Sequence, residues 1–358
     1  MAHIALDLAH AYQPNPQRDE DYALLPLQMH FRDGEAYALL GPSGCGKTTM
    51  LNIISGLVTP SHGTVHFDGQ DMTHATTQAR NIAQVFQFPV IYDTMTVAEN
   101  LAFPLRNRGM ARNAITQRVG QIAEMLELSH QLDLRAAGLS ADQKQKISLG
   151  RGLVRPDVSA ILFDEPLTVI DPHLKWQLRR KLKQIHQELK LTLIYVTHDQ
   201  VEALTFANEV LVMSCGRVMQ AGSAEALFER PTHTFVGHFI GSPGMNFIDA
   251  SNASGHLTVA GQAIVCPTDC TLPMGALRIG IRPEYLQFGP PGEAGVLSAQ
   301  ITRIQPLGAL TLVSCSSGPH TLKLRIPTDT LTAQMGQTVG LRVLCASSCI
   351  YQNEVLVS

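Results

Sequence analysis

The chain has 358 residues and a formal net charge of −3, with 45% hydrophobic and 6% aromatic residues. This length favours two domains, and the composition is typical of a soluble globular protein. The charge excludes strong electrostatic steering to DNA or RNA, and no apolar run approaches the roughly 20 residues of a membrane-spanning helix.

The first 240 residues alternate strand and helix signals. The run EAYALLG predicts a strand that leads into a Gly-rich turn and then into the helical run KTTMLNIISGL. Further along, AILFDEP predicts a buried strand, LKWQLRRKLKQIHQELK a helix and LTLIYVTH another strand. This order is typical of a mostly parallel sheet covered by helices. Between about residues 90 and 155 the pattern is mainly helical, so we predict a helical insertion there.

After residue 240 charged residues become sparse, with six acidic and six basic side chains. Short, partly alternating runs bounded by Gly or Pro, such as ALRIGIRPEYLQF and HTLKLRIP, predict strands and a small all-β barrel. No secretion signal is evident, so the seven cysteines indicate reduced thiols in the cytosol. The pairs Cys266/Cys270 and Cys345/Cys349 depart from the common zinc-binding C-x-x-C spacing, which favours free thiols.

The segment GPSGCGKT matches the pattern G-x-x-x-x-G-K-[ST] and lies between a predicted strand and a helix. Its glycines let backbone N–H groups close around phosphate oxygens where a Cβ would intrude. We expect Lys47 to reach the β/γ-phosphates and the Thr48 hydroxyl to bind Mg²⁺. A plain glycine turn is the alternative interpretation. The candidate phosphate-binding residues are Gly41, Ser43, Gly44, Cys45, Gly46, Lys47, Thr48 and Thr49.

Three later segments supply polar side chains at predicted strand ends. Asp164 ends a buried strand and would deliver a carboxylate to Mg²⁺, with Glu165 beside it for a water molecule. His198 follows the strand LTLIYVT and can reach the γ-phosphate or its attacking water. Gln87 follows another strand, and its amide can ligate Mg²⁺ or sense the water. Taken singly, a structural histidine and a solvated loop glutamine are the simpler interpretations of the last two.

The stretch GLSADQKQKISLGRGLVRP, residues 138–156, predicts a helix that starts at Ser140. The serine hydroxyl and the free backbone N–H groups of such a start can hold an anion. Asp142, however, puts a negative charge on the same first turn.

The ordered set GPSGCGKTT, VFQ, LSADQKQK, ILFDEP, TVID and VTHD resembles the ATPase subunits of ABC transporters, and the resemblance covers essentially the whole chain. The run from QVEALTF to GMNF is similar to importers of the maltose and glycerol-3-phosphate type. The resemblance implies an α/β P-loop NTPase, with a RecA-like core and a helical subdomain, over residues 1–240. A small all-β, OB-like regulatory domain would follow over residues 241–358. The implied activity is ATP hydrolysis coupled to transmembrane transport, with ATP and Mg²⁺.

The resemblance also implies roles for individual residues. Tyr12 would stack on adenine, although the segment AYQPNPQRDEDY is longer than usual there. Glu165 would polarise the attacking water, and His198 would hold the γ-phosphate. Gln87 would link the site to a membrane subunit, and Asp171 would belong to the loop that crosses to the partner.

In this family each ATP lies between the P-loop of one subunit and an L-S-G-G-Q helix start of the other. The chain keeps Ser140 and Gln143 but has Ala141 and Asp142 in place of the two glycines. Two like unit charges about 4 Å apart repel by about 4 kcal/mol at an effective dielectric of about 20. We therefore expect weakened or lost hydrolysis at the site that this helix start serves. Alternatively, Asp142 turns outward and a nearby lysine, at position 144 or 146, offsets its charge.

The other elements are intact, so we expect this chain to hydrolyse its own ATP with a partner that has a normal helix start. The expected partners are a second, non-identical ABC ATPase subunit, two permease subunits contacted near Gln87 and, indirectly, a substrate-binding protein. The expected location is the cytoplasmic face of the inner membrane, as a peripheral subunit. The departures in LSADQKQKISLGRGLVR resemble one of the two unlike ATPase subunits of bacterial glycerol importers, which implies a sugar or polyol cargo such as glycerol.

Three alternatives stay open. A P-loop kinase or GTPase explains neither Glu165 beside Asp164 nor the LS-x-x-Q helix. A relative that works on DNA or ribosomes would need a basic patch. A regulatory ATP-binding subunit with little hydrolysis of its own would keep the same fold.

Overall fold

A computed structural model of the chain describes residues 2–168, 170–253, 256–265, 272–331 and 333–357. The chain divides into two compact units, Met1–Ala224 and Glu225–Ser358. Within those described ranges, no helix combines the length and the apolar character that crossing a bilayer requires.

The first unit contains a six-stranded sheet and a four-stranded sheet. Its strands are β1 (Ile4–His10), β2 (Leu24–Phe31), β3 (Ala36–Leu40), β4 (His62–Phe67), β5 (Gln70–Asp71), β6 (Ala83–Val85), β7 (Ile161–Asp164), β8 (Leu193–Thr197), β9 (Glu209–Ser214) and β10 (Arg217–Gly222). The six-stranded sheet has the order β10-β9-β3-β8-β7-β6, and its strands run parallel except for β10. The four-stranded sheet, β2-β1-β4-β5, is antiparallel.

Three neighbouring strands of the parallel sheet, β3, β8 and β7, end at the same edge. Leu40 at the end of β3 pairs with Thr197 at the end of β8, and Asp164 at the end of β7 pairs with Val196. The carboxyl ends of parallel strands form the usual ligand-binding edge of such sheets. The residues that follow these strands are therefore brought together by the sheet itself.

Seven helices of the first unit are α1 (Lys47–Ser55), α2 (Thr77–Arg80), α3 (Val97–Arg106), α4 (Arg112–Met125), α5 (Ala141–Leu153), α6 (Pro172–Leu189) and α7 (Gln200–Phe206). Helices α3, α4 and α5 lie in the stretch where the helical insertion was predicted. They pack closely at Gly150, where a Cβ would lie 2.5 Å from the Leu101 side chain and 3.1 Å from that of Leu126.

The parallel strands are buried on both faces, which is why they read as continuous apolar runs. Phe163 and Tyr195 pack with the helical insertion and α6, whereas Leu162 and Val196 pack on the other face with residues of α1. This alternation follows from the period of two along a strand. The sheet is thus sandwiched between two apolar clusters.

The second unit is built from antiparallel strands and two short helices. Its helices are α8 (Ala224–Glu229) and α9 (Thr234–Phe239). Its strands are β11 (Asn246–Ala253), β12 (His256–Val259), β13 (Gln262–Ile264), β14 (Gly275–Ile281), β15 (Gln287–Gly289), β16 (Val296–Pro306), β17 (Leu310–Ser317), β18 (His320–Pro327), β19 (Thr338–Arg342), β20 (Cys349–Gln352) and β21 (Val355–Leu356). They form the sheets β13-β12-β11-β14-β20-β21 and β15-β19-β16-β17-β18 around one apolar core. The predicted fold class, an α/β P-loop unit followed by an all-β domain of OB-like type, is confirmed.

The segment from 225 to 240 belongs with the second unit. The Arg282 guanidinium is buried and donates to the carbonyls of Phe228 and Gly237, both at 2.9 Å. The Thr234 N–H donates to the carbonyl of Glu354 at 3.0 Å. The Arg282 bonds satisfy carbonyls at the ends of α8 and α9, and the Thr234 bond satisfies an N–H at the start of α9. The division of the structure therefore lies before the boundary that charge density suggested at residue 240.

The cysteines of the second unit are consistent with the thiol interpretation as far as they are described. Cys345 and Cys349 are free, and Cys349 is buried. Cys266 and Cys270 lie outside the described residues. In the part of the chain that the structure describes, no three His, Cys, Asp or Glu side chains are grouped to hold a metal ion.

Candidate active site

The loop from Gly41 to Gly46 connects β3 to α1, and two of its glycines have no room for a side chain. A Cβ at Gly41 would lie 2.3 Å from the Met213 carbonyl oxygen. Gly46 has a φ of +101°, and a Cβ there would lie 2.5 Å from the Ala23 carbonyl oxygen. Gly44, by contrast, has open space around its Cβ position. The loop is therefore anchored at both ends and open in the middle.

Lys47, the first residue of α1, turns its ammonium group back into this loop. Its Nζ atom donates to the carbonyl oxygens of Gly41 and Pro42, both at 2.9 Å, and lies 3.7 Å from Cys45 Sγ. The residue is only 6% exposed. A buried ammonium requires such acceptors, and a phosphate oxygen can take their place.

Thr48 and Asp164 bring two hard oxygen ligands together. The Thr48 hydroxyl donates to Asp164 Oδ1 at 3.3 Å, although the two residues belong to different elements. Burial raises the pKa of the Asp164 carboxyl and the Glu165 charge adds to this, while the Thr48 hydrogen bond and the Lys47 charge oppose it. A hydroxyl and a carboxylate are ligands that Mg²⁺ prefers, so this pair fits the implied metal ion.

Glu165 and His198 are in direct contact. His198 Nδ1 lies 3.1 Å from Glu165 Oε2, and the Thr168 hydroxyl donates to the same oxygen at 3.2 Å. Glu165 has a φ of 47°, a conformation that is uncommon for a residue other than glycine and is often found at functional sites. The imidazole is 56% exposed, so it remains accessible to a ligand. A carboxylate held beside an imidazole can orient a water molecule and accept its proton.

Tyr12 lies next to the first turn of α1. Its hydroxyl is 3.2 Å from Thr49 Oγ1, and its ring meets the ring of His10 edge-on at 4.6 Å between centroids. The Tyr12 residue is 65% exposed, which leaves an aromatic face free beside the P-loop helix. Ser43 is exposed in the loop itself.

Gln87 follows β6 and is half-buried between the exposed Phe86 and Phe88. Among the described residues, no hydrogen bond joins Gln87 to the pair of Thr48 and Asp164. The structure brings Thr48 and Asp164 together, and the role of Gln87 as a Mg²⁺ ligand stays a prediction.

Ser140 is the N-cap residue of α5. It forms a capping box with Gln143, in which the Ser140 N–H donates to Gln143 Oε1 at 3.0 Å. The Ser140 hydroxyl is within hydrogen-bonding distance of both the Asp142 carboxylate and Gln143 Oε1. The single hydrogen of this hydroxyl therefore already has acceptors within its own helix turn.

The two lysines that were considered as partners of Asp142 form ion pairs with other acids. Lys144 Nζ lies 3.1 Å from Asp93 Oδ1, and Lys146 Nζ lies 3.6 Å from Glu127 Oε2. These ion pairs do not support the alternative in which either lysine offsets the Asp142 charge.

Asp171 begins α6, where its side chain accepts the His173 N–H at 2.9 Å as a helix cap. Its neighbour Val169, part of the TVID run, lies outside the described residues.

Gln145 is a contact residue to which the sequence analysis assigned no role. It is fully buried on α5, and its Nε2 donates to the Pro166 carbonyl oxygen at 2.7 Å. Pro166 directly follows Glu165, so this bond ties α5 to the loop that carries Glu165. The sequence pattern that could have indicated this contact is a polar amide four residues before Leu149, on the apolar face of an amphipathic helix.

Comparisons with known proteins agree with this geometry. The ABC transporter family model matches residues 24–168. The sn-glycerol-3-phosphate import ATP-binding protein UgpC of Vibrio vulnificus (strain YJ016) is 39% identical, over 81% of this chain and 78% of that protein. The sulfoquinovosyl glycerol transport ATP-binding protein SmoE of Agrobacterium fabrum is 37% identical, over 86% and 88%.

Among solved structures, cbiO1 from Clostridium perfringens, part of the ABC transporter complex cbiONQ, is similar with a TM-score of 0.58 and 26% identity. The similarity covers 63% of this chain and 90% of that one. The residues that the family model matches include the phosphate loop, Asp164 and Glu165, whereas His198 and the second unit lie beyond them. The chain belongs to the ATP-binding subunits of ABC transporters, in the carbohydrate-importer group, and it is an ATPase coupled to transport.

Proposed function

We propose that this subunit hydrolyses ATP at the edge where β3, β7 and β8 end, and that this powers import of a sugar or polyol. The contact of Glu165 with His198 beside the pair of Thr48 and Asp164 is the observation that carries the proposal. The proposal also concerns the identity of the transported cargo. Two relatives are named for glycerol-3-phosphate and for sulfoquinovosyl glycerol, and both cargoes contain a glycerol unit. Glycerol or a glycerol derivative is the cargo that we favour.

Nucleotide binding would use the phosphate loop and Tyr12. The Lys47 ammonium would exchange its carbonyl acceptors for phosphate oxygens, and the Tyr12 ring would stack on adenine. Thr48 and Asp164 would hold Mg²⁺, which neutralises phosphate charge when it is bound. Glu165 would orient the attacking water and take up its proton. His198 would hold the γ-phosphate.

The helix start at Ser140 would face the nucleotide of a partner subunit. Three observations support weak phosphate binding there: the Asp142 charge, the hydrogen bond of the Ser140 hydroxyl to Asp142, and the pairing of the neighbouring lysines with other acids. We therefore infer a heterodimer with a second, non-identical ATPase subunit that supplies a normal helix start. In that assembly one site would be competent and the other impaired. Gln143 and Asp171 would lie at the same subunit contact.

The membrane partners would be two permease subunits that contact the region around Gln87. Four large apolar side chains are exposed in this short stretch, and exposed apolar patches mark protein contacts. They are Phe86, Phe88, Val90 and Tyr92. A substrate-binding protein would act through the permeases, and this chain would be peripheral at the cytoplasmic face of the inner membrane.

A second candidate is a regulatory ATP-binding subunit that keeps the same fold and has little hydrolysis of its own. The substitution Glu165→Gln separates the two functions because it keeps the size of the side chain but removes the base. An assembled complex that keeps its ATPase rate with this variant would make the chain regulatory. A loss of most of the rate would make it the catalytic half.

Co-purification tests the assembly directly. The tagged chain should retain two permeases and a different ATPase subunit from detergent-solubilised membranes. Its ATPase rate should rise strongly in that complex over the isolated chain. Recovery of a complex with two copies of this chain alone, or equal rates in both states, would contradict the heterodimer.

A further inference from the structure

A buried carboxylate lies just behind the exposed His198. Glu202, on α7, is only 4% exposed, and its Oε2 accepts hydrogen bonds from the Tyr195 hydroxyl at 2.9 Å and from the Thr197 hydroxyl at 2.8 Å. Burying a carboxylate is costly unless hydrogen bonds compensate it. Both hydroxyls belong to residues in the last half of β8, so the carboxylate connects α7 to the end of this strand.

The Thr197 hydroxyl takes part in hydrogen bonds on both sides of His198. The Thr197 hydroxyl donates to Glu202 and also accepts the Asp199 N–H at 3.0 Å. Asp199 Oδ1 in turn accepts the backbone N–H groups of Val201 at 2.8 Å and Glu202 at 3.2 Å. Of the two neighbours of His198, Thr197 therefore bonds the Glu202 carboxylate directly, and Asp199 is linked to that carboxylate through the Thr197 hydroxyl.

The Tyr195 bond leads in the opposite direction, into the core. Tyr195 is buried, with its ring centroid 5.9 Å from that of Phe163 and 5.2 Å from that of Phe206. Burial and then the Glu202 charge raise its pKa well above the ordinary value, so its hydroxyl keeps the proton that it donates. Glu202 therefore has one bond directed to the core and one directed to the site.

We propose that Glu202 is a positioning residue for the proposed ATPase reaction. Through Thr197 it fixes the turn between β8 and α7, and so holds His198 Nδ1 at 3.1 Å from Glu165 Oε2. This inference rests on the proposed role of His198. An imidazole on an exposed turn has few other contacts to orient it, and small displacements of catalytic groups are costly to the rate.

A matched pair of variants tests the inference in the assembled, co-purified complex. Thr197→Val and Tyr195→Phe each remove one hydroxyl group that donates to Glu202. Only Thr197→Val also removes the hydrogen bonds on both sides of His198. We expect Thr197→Val to lower kcat roughly tenfold with a KM for ATP within about twofold of the parent. Tyr195→Phe should leave kcat within about twofold and should lower the thermal stability of the chain. Equal losses of kcat in both variants would overturn the inference.

A double-mutant cycle then asks whether the effect passes through His198. Adding Thr197→Val to His198→Ala should cost no further activity, because the group that it positions is already gone. Glu202→Gln keeps an acceptor oxygen and should retain most of kcat, whereas Glu202→Ala should approach the rate of His198→Ala.

The cycle distinguishes failure of the inference from failure of the proposed function. A full additional loss in the His198→Ala background would overturn the positioning role alone. If His198→Ala itself left kcat unchanged, the proposed role of His198 would fail and the inference would fail with it.

Discussion

The Asp142 carboxylate accepts a hydrogen bond from the hydroxyl of Ser140, two residues earlier in the same helix turn. A serine that caps a helix and faces an anion has to keep its hydroxyl hydrogen for that anion. In this chain the hydrogen has a competing acceptor that also carries a negative charge. If this helix start faces a phosphate as proposed, Asp142 would have two physical effects there, repulsion of the phosphate and competition for the Ser140 hydrogen.

Restoring the glycines should strengthen this helix start. We expect the double substitution Ala141→Gly, Asp142→Gly to raise the ATPase rate of the assembled complex by about twofold, because two sites rather than one would turn over. Asp142→Asn removes the charge but keeps the side chain, so it should give an intermediate rate. Steady-state phosphate release measures both. Unchanged rates in the two variants would show that the second site is not limited by this turn.

Removing the Lys47 ammonium should weaken nucleotide binding. Hydrogen bonds to charged groups contribute about 1.5–3 kcal/mol each, so Lys47→Ala should raise the Kd for ATP roughly 10- to 100-fold. Fluorescent-nucleotide titration of the isolated chain measures this. Lys183→Ala is a suitable control because its ammonium donates to the Thr205 carbonyl, away from the phosphate loop. An unchanged Kd for Lys47→Ala would exclude the loop as the phosphate site.

The Asp164 carboxyl should make stability depend on pH in a defined direction. Burial raises the pKa of this carboxyl because it destabilises the charged form in the folded chain. The stability that the group contributes is therefore present at low pH and is lost as pH rises through the raised pKa. Asp164→Asn should therefore raise the Tm of the nucleotide-free chain at neutral pH, on the order of 1–3 °C. The gain should shrink as pH falls through that pKa, because the parent carboxyl is then neutral too.

The same variant should lose its response to Mg²⁺. Thermal shift with ATP should show no added stabilisation by Mg²⁺ in Asp164→Asn, and a reduced one in Thr48→Val. A parent-like Mg²⁺ response in both variants would contradict the assignment of the Thr48 and Asp164 oxygens.

Gln145 should matter for the stability of the first unit. Gln145→Leu keeps the approximate size of the side chain but leaves the buried Pro166 carbonyl without its donor at 2.7 Å. Such an orphaned group costs about 1–3 kcal/mol, which denaturant unfolding measures. Gln184→Ala, on the exposed side of α6, is the control and should change stability by less than about 0.5 kcal/mol. Equal effects would mean that the Pro166 bond contributes little.

Much of the site could be predicted from the sequence because its residues follow strands that end at one edge. Local pattern indicated the phosphate loop after β3, Asp164 at the end of β7 with Glu165 after it, and His198 after β8. Once these strands are parallel neighbours, their ends must meet, so local pattern was sufficient to place these residues at one edge, while their chemical roles stay predictions. The fold class is confirmed by the sheet topology, and the ATPase family is confirmed by the family match and the relatives.

The partners of individual side chains were decided only by the tertiary structure. Lys144 pairs with Asp93, and Gln145 bonds to Pro166, across separations that no local pattern specifies. The buried Glu202 lies near its partners in sequence, yet its burial depends on the packing of α7 against β8. Composition also placed the domain boundary after the segment 225–240, whereas hydrogen bonds donated by Arg282 and accepted by the Glu354 carbonyl hold that segment in the second unit. Motifs record which groups the chemistry needs, but the contacts that orient or occupy those groups form only when distant segments pack together.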